Sequence, residues 1–344
     1  MRFYVSLGAA VAAVFAIGFF ILTFEFPPIE VEQRGYRGLA IEQNHTPAAL
    51  AAQKAANVVP APEDPAEPAG EKSSRAYQNV KVLGDLDSAE FLRLMTAITA
   101  WVAPEEGCTY CHSEESLADD SKYTKVVARR MLQMTASING NWKGHVAATG
   151  VTCYTCHRGK PVPANVWFRQ PPQANAHFAG NRDGQNAPTR ATAYASLPNN
   201  VFDAYLDKGT DIRAAGTQAL PYGNSMGIKN AEGTYGLMMH FSQSLGVNCT
   251  YCHNSRAFAR WDQSPVQRVT AWHGIRMARD LNTAYMEPLA DVFPANRKGP
   301  LGDVAKVNCL TCHQGAFKPL LGVSMLKDYP ELGPEGPIRV SAKP

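Results

Sequence analysis

Apolar residues run from Phe3 to Phe24 without a single charge, and no other stretch of the chain matches that length. At about 1.5 Å per residue a helix of this run covers roughly 33 Å, enough for a hydrocarbon core. Arg2 precedes it and Glu25, Glu30 and Glu32 follow, so the pattern predicts a single-pass helix that starts in the cytoplasm. The residues after Leu22 offer no small-residue cleavage site, and no cysteine nearby could accept a lipid, so an uncleaved anchor is expected.

Downstream the pattern becomes one of amphipathic helices between turn-rich stretches. Phe91, Met95, Ile98 and Val102 share a helical face behind Asp87-x-x-Glu90, which has the form of a capping box. Val127, Met131, Met134 and Ile138 make a second stripe. Ser264-Pro265-x-Gln267 reads as N-cap, N1 proline and N3 glutamine ahead of a helix from Val266 to Met286. Pro60, Pro62, Pro65 and Pro68 mark an extended, poorly helical tether lying over a surface. Pro171-Pro172, Gly180, Gly184 and Asn199-Asn200 mark a loop-rich connector. The expected organisation is an anchor (1–26), a tether (27–75), two helical blocks (76–160 and 231–318) around a connector (161–230), and an irregular tail (319–344).

All eight cysteines fall in four copies of Cys-x-x-Cys-His. These are Cys108/Cys111/His112, Cys153/Cys156/His157, Cys249/Cys252/His253 and Cys309/Cys312/His313. The motif is that of covalent c-type haem: two thiols take up the vinyl groups and the adjacent imidazole ligates the iron. Zinc ribbons do not require a histidine after each pair, and a disulfide framework predicts no such adjacency. Four covalently attached haem c groups are therefore expected, on the oxidising, periplasmic side of a bacterial inner membrane. Each macrocycle replaces side-chain core. The fold expected for 344 residues is thus mainly α with extensive irregular loops, a multihaem cytochrome with an N-terminal transmembrane helix. A formal charge of +3 gives no sign of a nucleic-acid partner. No catalytic triad or phosphate loop is present, which points to electron transfer rather than enzymatic turnover.

The two blocks read as an internal repeat of haem pairs: a methionine-bearing helix, a motif, a longer helix, a second motif. Each iron needs a sixth ligand, and thioether raises its potential relative to a second imidazole. Met95 lies 17 residues before His112 and Met238 lies 15 before His253, so the repetition favours both over core packing. Met131 and Met134 share a face, and the pattern does not choose between them for the second haem. Aligning Met134 with Met277 puts Gly274 opposite Met131, so a methionine is missing there. His145, His273 and Met277 are then the nearest options for the fourth haem. His45, His177 and His240 are the other histidines outside the motifs.

With its four motifs, their spacing and the stretch Leu237-Met-Met-His-Phe-Ser-Gln-Ser-Leu-Gly-Val-Asn-Cys249, the chain resembles the tetrahaem cytochrome c subunits of purple bacterial photosynthetic reaction centres over about residues 76–320. The resemblance implies Met95, Met131 and Met238 as sixth ligands of the first three haems, with His145 reaching the fourth. It implies a place on the reaction-centre L and M subunits in the photosynthetic membrane, with room for a light-harvesting complex. There the subunit would re-reduce the photo-oxidised bacteriochlorophyll pair. Its donor would be a soluble cytochrome c or a high-potential iron–sulfur protein.

Glu105, Glu106, Glu114, Glu115, Asp119 and Asp120 surround the first motif against Lys122 alone, a pattern suited to a basic donor. A solvated acidic loop is the bland alternative. The rival function is a membrane-anchored tetrahaem quinol dehydrogenase; such chains are shorter and lack the long tether. A multihaem reductase would need one open iron position, whereas this sequence can fill all four.

Overall fold

The computed structural model describes residues 2–23, 28–171, 189–214 and 227–338. Helix α1 (Arg2–Leu22) is the apolar run, with mean hydropathy 2.5 and no buried residue. A helix apolar on every side and packed against nothing needs a non-aqueous environment. Among the described residues it is the one helix long and apolar enough to cross a membrane.

An antiparallel pair follows, β1 (Glu30–Gln33) with β2 (Glu42–His45), and then α2 (Pro47–Ala56). The tether is therefore less extended than its prolines imply. Thr46 caps α2 by accepting from Ala49 N at 3.2 Å, Pro47 stands at N1, and an alanine-rich run propagates the helix. The segment does lie over a surface. Ile41 N donates to Thr250 Oγ1 at 3.0 Å, Gln43 reaches Gly246 O at 3.0 Å, and Arg34 stacks over Phe317 at 4.2 Å.

The remaining helices are α3 (Ser73–Ala76), α4 (Ser88–Val102), α5 (Tyr123–Asn141), α6 (Lys143–Val146), α7 (Cys153–His157), α8 (Val201–Leu206), α9 (Ile228–Leu245), α10 (Gln267–Asp280) and α11 (Cys309–His313). The described chain is mainly helical, with little sheet. Asp87 caps α4, accepting from Ala89 N at 2.9 Å and also from Ala69 N and Gly70 N. These bonds, that from Ala69 foremost, hold its carboxyl below the usual range. Glu90 does not close the expected box, because it pairs with Arg93 at 2.5 Å instead. Ser264 does not cap α10 either. Its hydroxyl donates to Arg260 O at 2.6 Å and accepts from Arg268 at 2.7 Å, and the helix begins at Gln267. Beyond Asp280 the helical path continues through a wider π turn, Leu281–Met286, to the expected end.

Among the described residues, buried apolar side chains form three clusters. One joins α4 and α5 to the tail through Leu94, Trp101, Leu132, Tyr329 and Leu332. Tyr329 packs edge-on to Trp101 at 4.6 Å, lies under the Arg93 guanidinium at 4.4 Å, and accepts from Glu63 N at 2.9 Å. With only short 3₁₀ turns (Pro319–Gly322, Leu326–Asp328 and Pro330–Leu332), the tail nevertheless contributes to the core. A second cluster joins α8, α9 and α10 through Val201, Leu206, Leu237 and Ala278. The third, Ile138, Leu281 and Tyr285 with Met134 and Met277, lies where α5 meets the end of α10.

Two buried asparagines fix the chain entering the second and fourth motifs. Asn139 on α5 accepts from Val151 N at 2.8 Å and donates to Val151 O at 3.0 Å and Leu332 O at 2.8 Å. Asn282 accepts from Val307 N at 2.7 Å and donates to Val307 O and Leu206 O, both at 3.0 Å. Each amide thus answers backbone groups that have no helix or strand to pair with. Asn282→Leu should strand two such groups, Val307 N and Leu206 O, since Val307 O also accepts from Trp167 Nε1 at 3.0 Å. At about 1–3 kcal/mol for each unpaired buried group, the expected loss in denaturant unfolding is roughly 2 kcal/mol or more. A loss below about 1 kcal/mol would mean that water replaces the amide there.

Candidate functional site

The four motifs fall into two local forms. The first and third open in 3₁₀ turns, Gly107–Tyr110 and Cys249–Tyr251, and the second and fourth are α7 and α11. Both short helices start from a reciprocal cap, Thr152 with Thr155 and Asn308 with Thr311. Both end on a left-handed residue, Arg158 (φ 51°) and Gln314 (φ 47°), followed by a glycine. Gly159 N then donates to Trp101 O at 2.8 Å, and Gly315 N to Ser244 O at 2.9 Å. Each motif helix is so docked on the long helix that opens its block, α4 or α9.

Every motif histidine places Nδ1 on a carbonyl just downstream: Leu117 O at 2.8 Å from His112, Lys160 O at 2.8 Å from His157, Phe258 O at 2.9 Å from His253, and Ala316 O at 2.9 Å from His313. A carbonyl only accepts, so the proton sits on Nδ1 and Nε2 keeps its lone pair. Burial pushes the pKa of His157, His253 and His313 down, that of His313 to about 4. Four imidazoles tied back through Nδ1 and fixed in orientation are suited to axial ligation through Nε2. Burial also pushes the Cys153 and Cys309 thiols up to about 12 and Cys252 to about 11, so these sulfurs lie in apolar surroundings. Among the described residues no group of three or more His, Cys, Asp or Glu side chains could hold a bare metal ion.

The motif helices α7 and α11 meet at their second cysteines. Cys156 and Cys312 are joined as a disulfide with Cα atoms 4.4 Å apart, while the other six cysteines are free thiols. One sulfur cannot be both disulfide and thioether, so attachment at all eight cysteines requires this pair in reduced form. The contact places the second and fourth motifs side by side.

A cavity of about 960 Å³ lies between the first two motifs, at the upper end of the ~300–1,000 Å³ usual for bound organic groups. Cys108, Cys111, His112, Cys153, Cys156 and His157 line it, and so do Met95, Met131 and Met134 among largely apolar neighbours. Thiols, imidazoles and thioethers around one apolar space fit c-type haem. Of the two methionines left open on α5, Met134 also packs with Met277 in the third cluster. Met238 is half-buried against the cluster of α8, α9 and α10.

His145 stands 6.0 Å from His313, ring centre to ring centre. Its Nδ1 donates to Thr270 O at 3.0 Å, which again leaves Nε2 free. Gly274 makes this approach feasible: a Cβ there would come within 2.5 Å of the His145 ring. The position that lacks a methionine is the one against which an imidazole packs. His273 lies over Gly144 and beside Trp272 instead. His240 is buried against Phe202 and Ser244, and burial pushes its pKa down to about 3. His45 approaches Glu32 at 3.9 Å, and His177 lies outside the described residues.

The acidic group around the first motif divides in two. Glu105, Glu106, Glu114 and Glu115 are exposed. Asp120 is not available to a partner: Arg129 at 2.8 Å, Lys81 at 2.8 Å and Lys125 at 3.3 Å surround it and hold its carboxyl far below the usual range. Asp119 accepts from Ser121 N at 3.0 Å in a local turn. The pattern reading also passed over Asn139 and Asn282. A signal was present, since they stand 143 positions apart, as do Met95 and Met238, and Met134 and Met277.

A sequence profile described as "Photosynthetic reaction centre cytochrome C subunit" matches residues 25–333. The chain is 57% identical over 312 residues to the photosynthetic reaction center cytochrome c subunit of Rubrivivax gelatinosus, covering 90% of this chain and 85% of that protein. Against the subunit of the same name from Thermochromatium tepidum it is 48% identical over 322 residues, covering 93% and 79%. A cytochrome c-554 of Chloroflexus aurantiacus is more distant, 27% identical over 296 residues, covering 72% and 70%. With all four anchored CxxCH histidines inside the matched span, the chain belongs to the family of photosynthetic reaction centre cytochrome c subunits.

Proposed function

We propose that this chain carries four covalent haems and passes electrons from a soluble periplasmic carrier to the photo-oxidised bacteriochlorophyll pair. The observation that carries the reading is the set of four motif imidazoles with Nδ1 tied back and Nε2 free, in a chain of this family. Haem supplies the one-electron couple; the chain supplies ligands, apolar surroundings and charge. Two pseudo-repeated haem pairs are supported by the alternation of motif forms and by the common spacing of 143 positions.

His112, His157, His253 and His313 are the proximal ligands on this reading, and Met95, Met131, Met238 and His145 the distal ones. Met131 is preferred to Met134 because Met134 has an aliphatic partner set with Met277. His145 is preferred to His273 and Met277 because it is the one that meets His313. Three thioether-ligated haems and one bis-imidazole haem give one potential lower than ligation by methionine throughout.

The charge distribution supports a direction for the current. Exposed carboxylates at Glu105, Glu106, Glu114 and Glu115 suit a basic soluble donor at the first motif, with a high-potential iron–sulfur protein the less charge-dependent alternative. At the third motif Phe258, Trp261, Val266 and Trp272 are exposed, with Arg268 over Trp261 at 4.1 Å and Arg276 over Trp272 at 4.6 Å. Exposed aromatics with arginine make up the centre of protein interfaces, which suits docking on the L and M subunits. Helix α1 anchors the chain in the photosynthetic membrane with the haem-bearing part on the periplasmic side.

Flash excitation of native membranes tests the function. Cytochrome oxidation should rise as the pigment cation decays, with matched rates. Quinol oxidation by an isolated, pigment-free protein, with no such coupling in membranes, would favour the quinol dehydrogenase. For the ligand set, His145→Met should raise one haem potential, and Met95→His, Met131→His or Met238→His should each lower one. Gly274→Met should displace His145 and perturb the same haem as His145→Met. If His145→Met leaves all potentials unchanged while a His273 or Met277 variant shifts one, the fourth assignment fails. Neutralising the four exposed glutamates to glutamine should slow second-order re-reduction at low salt by roughly tenfold and flatten its salt dependence. Re-reduction that keeps its parental rate and salt slope would reduce the cluster to a solvated loop.

A further inference from the structure

The cations around the cavity between the first two motifs are of two kinds. Lys81, Lys125 and Arg129 line it and converge on Asp120. Arg297 and Lys298 line the same cavity and are half-buried. Among the described residues, neither of their side chains makes an ion pair or a hydrogen bond. The segment they belong to is packed against the first block, since Phe293 lies 5.8 Å from Tyr123, ring centre to ring centre. Tyr110, Cys111 and His112 of the first motif line the same cavity as Arg297 and Lys298.

A cation held part-way out of water against an apolar cavity is unfavourable unless an anion meets it. Asp120, with three cations already, is not that anion for a fourth and fifth. Each haem, on the reading above, brings two propionate carboxylates into just such a place, and arginine can engage a carboxylate with two parallel bonds. We propose that Arg297 and Lys298 form a propionate-binding pair for a haem held in this cavity, an assignment that rests on the haem reading itself. The pair then has a functional consequence as well as a structural one. Cations against the propionates cancel negative charge near the iron, destabilise its ferric form and raise its potential.

Redox titration of the membrane-extracted complex, resolved by optical band, tests the pair. A haem count on the parent chain comes first: four per chain upholds the underlying reading, and fewer refutes that reading rather than the choice of cations. Arg297→Gln should then make reduction of one of the two cavity haems less favourable by roughly tenfold, the effect of one unit charge about 10 Å away at an effective permittivity of about 20. For a one-electron couple that is about 59 mV. Arg297→Lys should stay near the parent, since it keeps the charge. Lys298→Gln gives the same readout should Arg297→Gln fail to assemble. If the glutamine variants bind four haems and both cavity potentials stay at parental values, the pair does not hold a propionate.

Discussion

An imidazole that is to bind iron must keep one nitrogen unprotonated and aimed, and it can be aimed only through the other. The turns that follow the four motifs answer to that requirement. After the first and third motifs the loop returns a carbonyl five residues on, Leu117 O or Phe258 O, to the histidine Nδ1. After the second and fourth it returns one three residues on, Lys160 O or Ala316 O. The shorter return needs a sharp reversal, which the left-handed Arg158–Gly159 and Gln314–Gly315 steps provide. The same glycines donate to Trp101 O and Ser244 O, so aiming the imidazole and docking the motif on its long helix are one structural event.

With the motifs fixed, the ligand helices have little freedom left. Asn139 ties α5, the helix of Met131, to the chain entering the second motif; Asn282 ties the end of α10 to the chain entering the fourth. The two blocks then diverge at one place. Where α5 offers Met131, α10 has Gly274, and the space vacated there admits His145 from α6. The ring is held by Thr270 O, one turn earlier on the same helix. The helix that has glycine in place of methionine is thus the wall against which the His145 ring packs. The contact between His145 and His313 joins the two halves of the chain ring to ring.

The motifs and the long helices were legible because each has a fixed spacing or a period, and the N-terminal helix because its apolar run is unbroken. What was misread depended on competition between neighbours. Glu90 had the right spacing for a capping box, but Arg93 lies three residues on and offers a full charge. Ser264 and Pro265 had the form of a helix start, but Arg260 O and Arg268 claim the serine hydroxyl. The tail carries no periodicity, and no pattern announces that Tyr329 will be buried among Trp101, Arg93 and Glu63. Gly274 was visible as a missing methionine, and its purpose was not, because the ring that fills the space comes from 129 positions earlier in the chain.

Sequence counts also overstate how much charge is available to a partner. Six acids surround the first motif, yet Asp120 is neutralised within the fold by three cations that lie at 39, 5 and 9 positions from it. What projects into solvent is Glu105, Glu106, Glu114 and Glu115, two on each side of the motif. At 0.1 M salt the field of exposed charges decays over about 10 Å, so only carboxylates beside the docking point add to the attraction. On the proposed reading, four that bracket the first CxxCH meet that condition, whereas the formal charge of +3 counts side chains alone and omits the haem propionates. The near-neutral total conceals a local asymmetry between an acidic first motif and an arginine- and aromatic-rich third. On the proposed reading that asymmetry, rather than net charge, orients the molecule between a diffusing donor and a fixed acceptor.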